Sequence, residues 1–475
     1  MNKFLTCIAA TACIMFLNSC RRENYKGTLA SQKPNIVFIM ADDLGFGELG
    51  VYGNTFNETP NLDKLASEGM RFKQAYAAAP VCSPTRGSIM TGQYPARVRI
   101  TDFLAPHTGR LLDPDKYKTI NEALSELGYH TGMIGKWHLD TEYKENKGGP
   151  HKHGFDEVIG TETKYIADGD YFFPYDKIGT FTEGEEGEFL TDRLAKEAVG
   201  FIERNKNKPF FLYLAHYSVH TKLDATPELV DKYKKKFDQK YGKGEAGRIF
   251  EGKNKRHEAK HIDNPYLAAM LEKIDDCVGS VMKALDENGV ANNTLLIFFS
   301  DNGGAHRVAN NGGLRMHKTW LYEGGIREPL IMRWPAAIKP GSVVETPVSS
   351  VDFYPTFLEA AGGAPAPGQI IDGVSLLPLI KGGAAPDRDE LFWHYPSETG
   401  RWTNRMASAV RKGDFKLLEF FEDGRIELYN LKDDPFENEN LVEKMPDKAN
   451  ELHTLLKAWR IEVNAEMPVI EKSEQ

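Results

Sequence analysis

The chain has 475 residues, 41% of them hydrophobic and 27% charged, with a formal net charge of −9. This length exceeds what one core usually serves, so two domains are expected, and the composition excludes a disordered or fibrous protein. The acidic balance argues against a nucleic-acid partner, which calls for a broad basic face, while a local cluster of cations can still bind an anion.

At the N-terminus, Lys3 precedes an uncharged, largely apolar run from Phe4 to Leu17, too short to span a bilayer as a helix. It reads as an export signal. The closing residues Leu17-Asn18-Ser19-Cys20 are similar to the lipobox of bacterial lipoproteins. That similarity implies a signal over residues 1–19, a lipid on Cys20, and a protein anchored in the bacterial periplasm or outer membrane. A plain signal peptide cut nearby is the alternative, and either one takes the protein out of the cytoplasm.

Four apolar, β-branched or aromatic runs bounded by turn residues predict buried parallel strands: Asn35–Met40, Thr131–Ile134, Pro209–Leu214 and Thr294–Phe299. Helical segments separate them, over Asn61–Gly69, Asn121–Leu127, Thr191–Glu203 and Pro265–Asn288. Alternating strand and helix predicts an α/β sheet covered on both faces. The polar residues follow the strands. Asp42 and Asp43 come after the first run, Lys136 and His138 after the second, His220 after the third, and Asp301 and Asn302 after the fourth. In open parallel sheets, ligands bind outside the carboxyl ends of the strands, so four strands deliver chemistry to one edge.

Between the first two strands lies Cys82-Ser83-Pro84-Thr85-Arg86, followed by Thr91-Gly92. With Ser83 as N-cap and Pro84 as first helical residue, Cys82 sits at the positive end of a helix dipole, and Arg86 projects near the same face. The lysine-rich stretch Asp231–His261 is expected to be a solvated surface insertion, or alternatively a mobile flap near His220 that attracts polyanions. Val351–Ala361 predicts a helix, and Gly362–Gly368 and Lys381–Pro386 predict loops. Phe415–Phe421 and Arg425–Leu431 alternate around a turn and predict a hairpin, and Leu452–Val463 predicts a helix. A large α/β domain over residues 33–374 and a small α+β domain over 375–475 follow.

Cysteines are few. Cys7 and Cys13 leave with the signal and Cys20 would carry lipid, so only Cys82 and Cys277 remain in the folded body. A Cys82–Cys277 disulfide is the rival to a chain with no disulfide at all. Asp42, Asp43, Asp301 and Asn302 form an all-oxygen set that suits Ca²⁺ or Mg²⁺ and argues against zinc. Lys136 and His138 alternate about Trp137, so in an extended segment both face the same side.

The pattern C-x-P-x-R-x4-T-G resembles the signature of the type I sulfatases, with Thr85 where that family usually has Ser or Ala. Gly135–Leu139, Tyr217–His220, Asp301–Gly304 and Asn311–Arg327 resemble further motifs of the same family in the same order, branch by branch closest to arylsulfatases and N-acetylgalactosamine sulfatases. Where the family often places a proline two residues after the histidine, this chain has Lys222, and His216 is the fallback for His220. The resemblance implies an alkaline-phosphatase-like fold, a large mostly parallel sheet covered by helices, with a C-terminal subdomain built on an antiparallel sheet.

It also implies that a maturation enzyme oxidises Cys82 to formylglycine. One divalent cation, usually calcium, then sits on Asp42, Asp43, Asp301, Asn302 and an oxygen at position 82. The hydrated aldehyde attacks sulfur through one hydroxyl, and loss of a proton from the other expels sulfate by C–O cleavage. His138 is the expected base for that collapse and His220 the acid for the leaving alcohol, with Lys136, Lys318 and Arg86 neutralising the sulfuryl oxygens. Glu323 and Arg327 are expected to hold their loop together, and Arg315 to do either. The expected substrate is a sulfate ester of galactose or N-acetylgalactosamine in a glycan, with Tyr165, His306, Arg307, Trp393 and Trp402 as candidates for reading the sugar. The rival readings are a phosphonate monoester or phosphodiester hydrolase of the same superfamily and an inactive glycan-binding lipoprotein.

Overall fold

The computed structural model describes residues 33–106, 108–143, 147–164, 170–250, 261–397 and 403–468. The signal, Cys20, Tyr165, Trp402 and part of the lysine-rich stretch lie outside the described residues. In chain order the strands of the larger sheet are β1 (Asn35–Ala41), β2 (Met70–Tyr76), β3 (His130–Gly135), β4 (Glu157–Ile159), β5 (Phe210–Ala215), β6 (Thr294–Ser300), β7 (Arg327–Arg333), β8 (Ser342–Val344) and β9 (Val348–Ser349). They are arranged β4-β3-β5-β1-β6-β7-β2-β8, and β9 also pairs with β2. Every pairing is parallel except those of β7 with β6 and with β2. The four expected strands β1, β3, β5 and β6 form the centre of the sheet. They carry aliphatic and aromatic side chains on both faces, so only a doubly covered position buries them.

Seven helices, α1 (Pro60–Glu68), α2 (Cys82–Thr91), α3 (Ile120–Glu126), α4 (Leu190–Asn205), α5 (Pro227–Tyr241), α6 (Pro265–Glu287) and α7 (Phe353–Ala360), pack on the large sheet, and an eighth, α8 (Pro446–Glu462), lies near the C-terminus. Successive residues of β1 alternate between two cores. Val37, Ile39 and Ala41 join Leu62, Leu194, Tyr233 and Leu271 of α1, α4, α5 and α6. Ile36, Phe38 and Met40 join Ile89, Leu124 and Phe357 of α2, α3 and α7. The period of two along the strand thus separates the helix layers.

The C-terminal sheet has the order β10 (Glu390–Tyr395), β11 (Ala407–Lys412), β12 (Phe415–Phe420) and β13 (Ile426–Asn430), all antiparallel. The expected hairpin is β12–β13. One face packs Trp393, Leu418 and Phe420 against Tyr76, Leu321 and Tyr322, and the other packs Val410, Leu417 and Leu428 against Leu452, Leu456 and Trp459 of α8. Trp393 is buried with its indole N–H donating to Ala77 O at 2.8 Å, so it reads no sugar.

Two expectations change. The helix carrying the cysteine motif begins at Cys82 itself, with Val81 as N-cap, two residues earlier than the Ser83 and Pro84 pattern indicates. Ser83 instead accepts from Leu104 N at 3.0 Å, while Thr85 Oγ donates to Ala79 O and Val81 O at 3.1 and 3.3 Å. The described part of the lysine-rich stretch is ordered: it forms the C-terminal part of helix α5 and a short helix over Glu245–Phe250, and α5 buries Val230, Tyr233 and Phe237 on a face of helical spacing while Lys232 and Lys240 pair with Glu58, Glu272 and Asp263. Among the described residues no helix is long and apolar enough to cross a membrane.

Candidate active site

The carboxyl ends of β1, β3, β5 and β6 meet, and short backbone bonds lock their following turns together. Asp301 N donates to Ala41 O at 3.2 Å, Lys136 N to Ala215 O at 2.8 Å, Asp42 N to Ser218 O at 3.0 Å and Val219 N to Asp42 O at 2.8 Å. These turns bring Asp42, Lys136, His220 and Asp301 to one place. Asp43 and His138 hold left-handed backbones, with φ of 60° and 53°, a conformation that non-glycine residues adopt where surrounding structure imposes it. Gly303 follows Asn302 because a Cβ there would meet Gly324 O at 2.1 Å.

Carboxylate oxygens of Asp42, Asp43 and Asp301 lie within 4.8 Å of one another, all buried. Asn302 Nδ2 donates to Asp43 Oδ1 at 2.8 Å, which turns its own Oδ1 away from that bond. Asp42 Oδ1 and Asn302 Oδ1 are buried with no hydrogen-bond partner among the described residues. Burial pushes the Asp301 carboxyl well above its ordinary value, and the Asp42 charge pushes it further. Burial acts on Asp42 too, but Lys136, His220 and Arg86 outweigh it and hold that carboxyl far below the usual range. Unsatisfied oxygens and crowded negative charge fit a hard divalent cation on these four side chains.

Around this cluster stand the cations. Arg86, fully buried on α2, donates through Nε and a terminal nitrogen to Asp301 Oδ2 at 3.0 and 2.7 Å, and through the other to Lys136 O at 2.6 Å. Lys136 Nζ donates to Asp42 Oδ2 at 2.5 Å, and Lys318 Nζ to Asp43 Oδ2 at 2.7 Å. Burial alone would lower both ammonium groups, yet Asp42 and Asp43 respectively hold them raised and protonated. Cys82 sits among them with Sγ 3.2 Å from His138 Nδ1. His220 Nε2 lies 3.6 Å from Asp43 Oδ2, while Nδ1 is 2.5 Å from Thr221 O. Burial, then Lys136, pushes His138 down to about 3, and burial, then Lys318, pushes His220 down to about 4.

Every sequence-predicted site residue, Asp42, Asp43, Cys82, Arg86, Lys136, His138, His220, Asp301, Asn302 and Lys318, therefore falls in one cluster. His216 does not join it: both ring nitrogens are buried without a partner among the described residues, and burial pushes the ring down to about 3. Cys277 is unbonded and buried in α6, so it is not paired with Cys82. Arg315 is structural, donating to the Tyr429 hydroxyl and to Glu437 O at 2.8 and 2.5 Å over the Tyr322 ring. Glu323 and Arg327 hold their loop, with Glu323 buried against Tyr76 and Lys416.

One residue was not visible in the sequence. Glu162 accepts from the backbone N–H of both His138 (2.5 Å) and Trp137 (3.0 Å), and from the Tyr217 hydroxyl at 3.1 Å. A single carboxylate thus ties the turn of His138 to the turn that ends in His220, whose N–H donates to Tyr217 O at 3.1 Å. It lies in an irregular segment with no motif, and no periodicity marks it.

The profile of the Sulfatase family matches residues 34–364, and the profile described as N-sulphoglucosamine sulphohydrolase, C-terminal, matches residues 314–463. A sulfatase of Formosa agariphila is 32% identical over 520 residues, covering 92% of this chain and 90% of the relative. N-acetylgalactosamine-6-sulfatase of Canis lupus familiaris is 31% identical, covering 81% of this chain and 75% of its own. The crystal structure of Ps i-CgsB in complex with k-i-k-neocarrahexaose superposes with a TM-score of 0.77 at 30% identity, covering 93% of this chain and 96% of that one. With a buried acidic triad, a ring of cations and a cysteine–histidine contact at one strand edge, and with profiles that span the chain, this protein belongs to the sulfatase family and is a sulfuric ester hydrolase.

Proposed function

We propose that this enzyme removes sulfate from galactose or N-acetylgalactosamine units of a glycan, with Cys82 matured to formylglycine and Ca²⁺, or alternatively Mg²⁺, on Asp42, Asp43, Asp301 and Asn302. The observation that carries this reading is the pair of orphaned oxygens, Asp42 Oδ1 and Asn302 Oδ1, buried within the cluster that Asp43 and Asp301 complete. The family relatives that act on sulfated sugars support the substrate class. The matured aldehyde and the cation together supply a hydrated nucleophile and a Lewis acid.

The chain's own residues do the rest. Lys136, Lys318 and Arg86 stand where the oxygens of a sulfuryl group gather charge, and each is held protonated by a carboxylate, so none has to move to act. His138 is neutral at neutral pH and takes the proton from position 82 through Nδ1. His220 is held down by burial and then by Lys318; an anionic sulfate seated against Lys318 offsets that charge and lets His220 carry the proton that the leaving alcohol needs. The export signal, the lipid on Cys20, the maturation enzyme and the division at residue 375 belong to the same proposal.

The test combines mass analysis of the Cys82 peptide, from protein made with a maturation enzyme, with a panel of position-defined sulfated galactose, N-acetylgalactosamine and glucosamine compounds. An aldehyde mass, and release that chelator stops, are the expected results. Release from none of the panel, with aldehyde present, overturns the carbohydrate reading.

A further inference from the structure

The segment from Gly303 to His317 leaves the site at Asn302 and returns to it at Lys318, whose N–H donates to Gly304 O at 3.1 Å. On this loop opens a cavity of about 200 Å³, room for a sugar ring, lined in addition by Ile262. Its described lining includes Arg307, His306 and His317 and contains no carboxylate. That is unusual placement in a chain with more acidic than basic residues.

Arg307 is exposed, holds a left-handed backbone with φ of 57°, and has no hydrogen bond or ion pair among the described residues. Most arginines described above are committed to carboxylates or carbonyls; this one is not. His306 and His317 stack with ring centroids 4.5 Å apart. His317 Nδ1 lies 2.9 Å from Lys318 O, so Nδ1–H donates there and Nε2 is left as an acceptor. Burial first, against that carbonyl, pushes His317 down to about 4, which keeps the ring neutral. Met316, also left-handed, and Ile262 add exposed apolar surface of the kind that covers the C–H face of a sugar.

We propose that this cavity is a second subsite, in which Arg307 pairs with an anionic substituent, a sulfate or a carboxylate, on the sugar unit next to the one that carries the scissile ester. His317 Nε2 accepts from a hydroxyl of that unit, and His306 shapes the wall. The inference rests on the glycan reading above and narrows it to glycans charged on adjacent units.

The test measures kcat/KM on an aryl sulfate and on disaccharides of sulfated galactose or N-acetylgalactosamine whose second unit is neutral, carboxylated or sulfated. In the wild type, the charged second unit raises kcat/KM over the neutral one. In Arg307→Ala, the ratio of the charged disaccharide to the aryl sulfate falls about tenfold or more, with the loss in KM, since a charge-assisted pair contributes that much. Arg307→Lys restores part of it. Equal rates on neutral and charged disaccharides, an unchanged ratio in Arg307→Ala, or turnover of the aryl sulfate but of no disaccharide overturns the subsite. Failure of the wild type on the aryl sulfate as well overturns the reading on which it rests.

Discussion

His138 Nδ1 faces Cys82 Sγ at 3.2 Å while His138 Nε2 lies 3.2 Å from Leu104 O. The carbonyl can only accept, so Nε2–H donates to it and Nδ1 is left to present its lone pair to residue 82. The tautomer is set by the backbone of a loop that precedes the histidine by more than a turn of chain, and the histidine needs no rearrangement before it accepts a proton. Cys82→Ala is expected to abolish sulfate release and leave the thermal midpoint within a few degrees, checked by calorimetry and aryl sulfate turnover. His138→Ala is expected to lower kcat by about 10²–10⁴, the usual reach of one acid–base group.

Glu162 is a positioning residue, touching the backbone of His138 rather than the reacting atoms. Glu162→Gln replaces one acceptor oxygen with a donor that faces an N–H, so the His138 turn loses a bond. The expected outcome is a fall in kcat of about tenfold to a hundredfold, as for other groups that orient a site residue, with KM for an aryl sulfate little changed. A purely structural role would lower the thermal midpoint and leave kcat per folded molecule intact. Steady-state kinetics on the folded fraction separates the two.

Without the proposed cation, the buried side chains of Asp42, Asp43 and Asp301 crowd negative charge into one place. Dialysis against chelator is therefore expected to lower the thermal midpoint by several degrees and stop turnover, and added Ca²⁺ to restore both by mass action. Mg²⁺ restoring less than Ca²⁺ would fit the irregular, all-oxygen cradle, since Mg²⁺ demands nearer octahedral geometry. Differential scanning calorimetry with each ion checks it.

Glu48 supplies a pH dependence. It is buried, and burial pushes its carboxyl up to about 8 against the pull of Asn310 N–H and the Asn57 side chain, both at 2.5 Å. The folded state therefore binds this proton more tightly than the unfolded chain. Its contribution to stability is greatest below about pH 4.5 and is lost as pH rises toward about 8. Glu48→Gln is expected to flatten that part of the stability profile, read as thermal midpoints across the same range.

The parts of the site that stood out in the sequence are those where a strand runs out. Asp42, Lys136, His220 and Asp301 each follow an apolar run at a carboxyl end, and the sheet has no other place to put them. Strand β7 gave no such signal, because Pro329 interrupts Arg327–Arg333 and lies where a strand pattern is usually read as broken; the proline is tolerated here although β7 is paired on both sides. Strand β2 was hidden by Arg71, Lys73 and Gln74, whose polarity fits the solvated rim beside short β8 and β9. Helix α5 is masked by its lysines, whose charge hides the helical spacing of Val230, Tyr233 and Phe237. Glu162 and the subsite loop depend on contacts between distant turns, which no local pattern encodes.

Lys416 of β12 is wholly buried between Glu323 and Glu437, 2.9 Å from each. Glu323 opens the turn that follows Lys318, and Glu437 accepts from Glu323 N at 2.7 Å. The lysine that faces Asp43 is thus moored, five residues on, to the interior of the C-terminal sheet. Lys416→Met strands two carboxylates and is expected to cost about 3–5 kcal/mol in a denaturant melt. A chain shortened after the large sheet would keep its cation cradle and lose the anchorage of Lys318, so sulfate release is a property of the two sheets together. Changes on the far side of the small sheet can reach the chemistry without touching it.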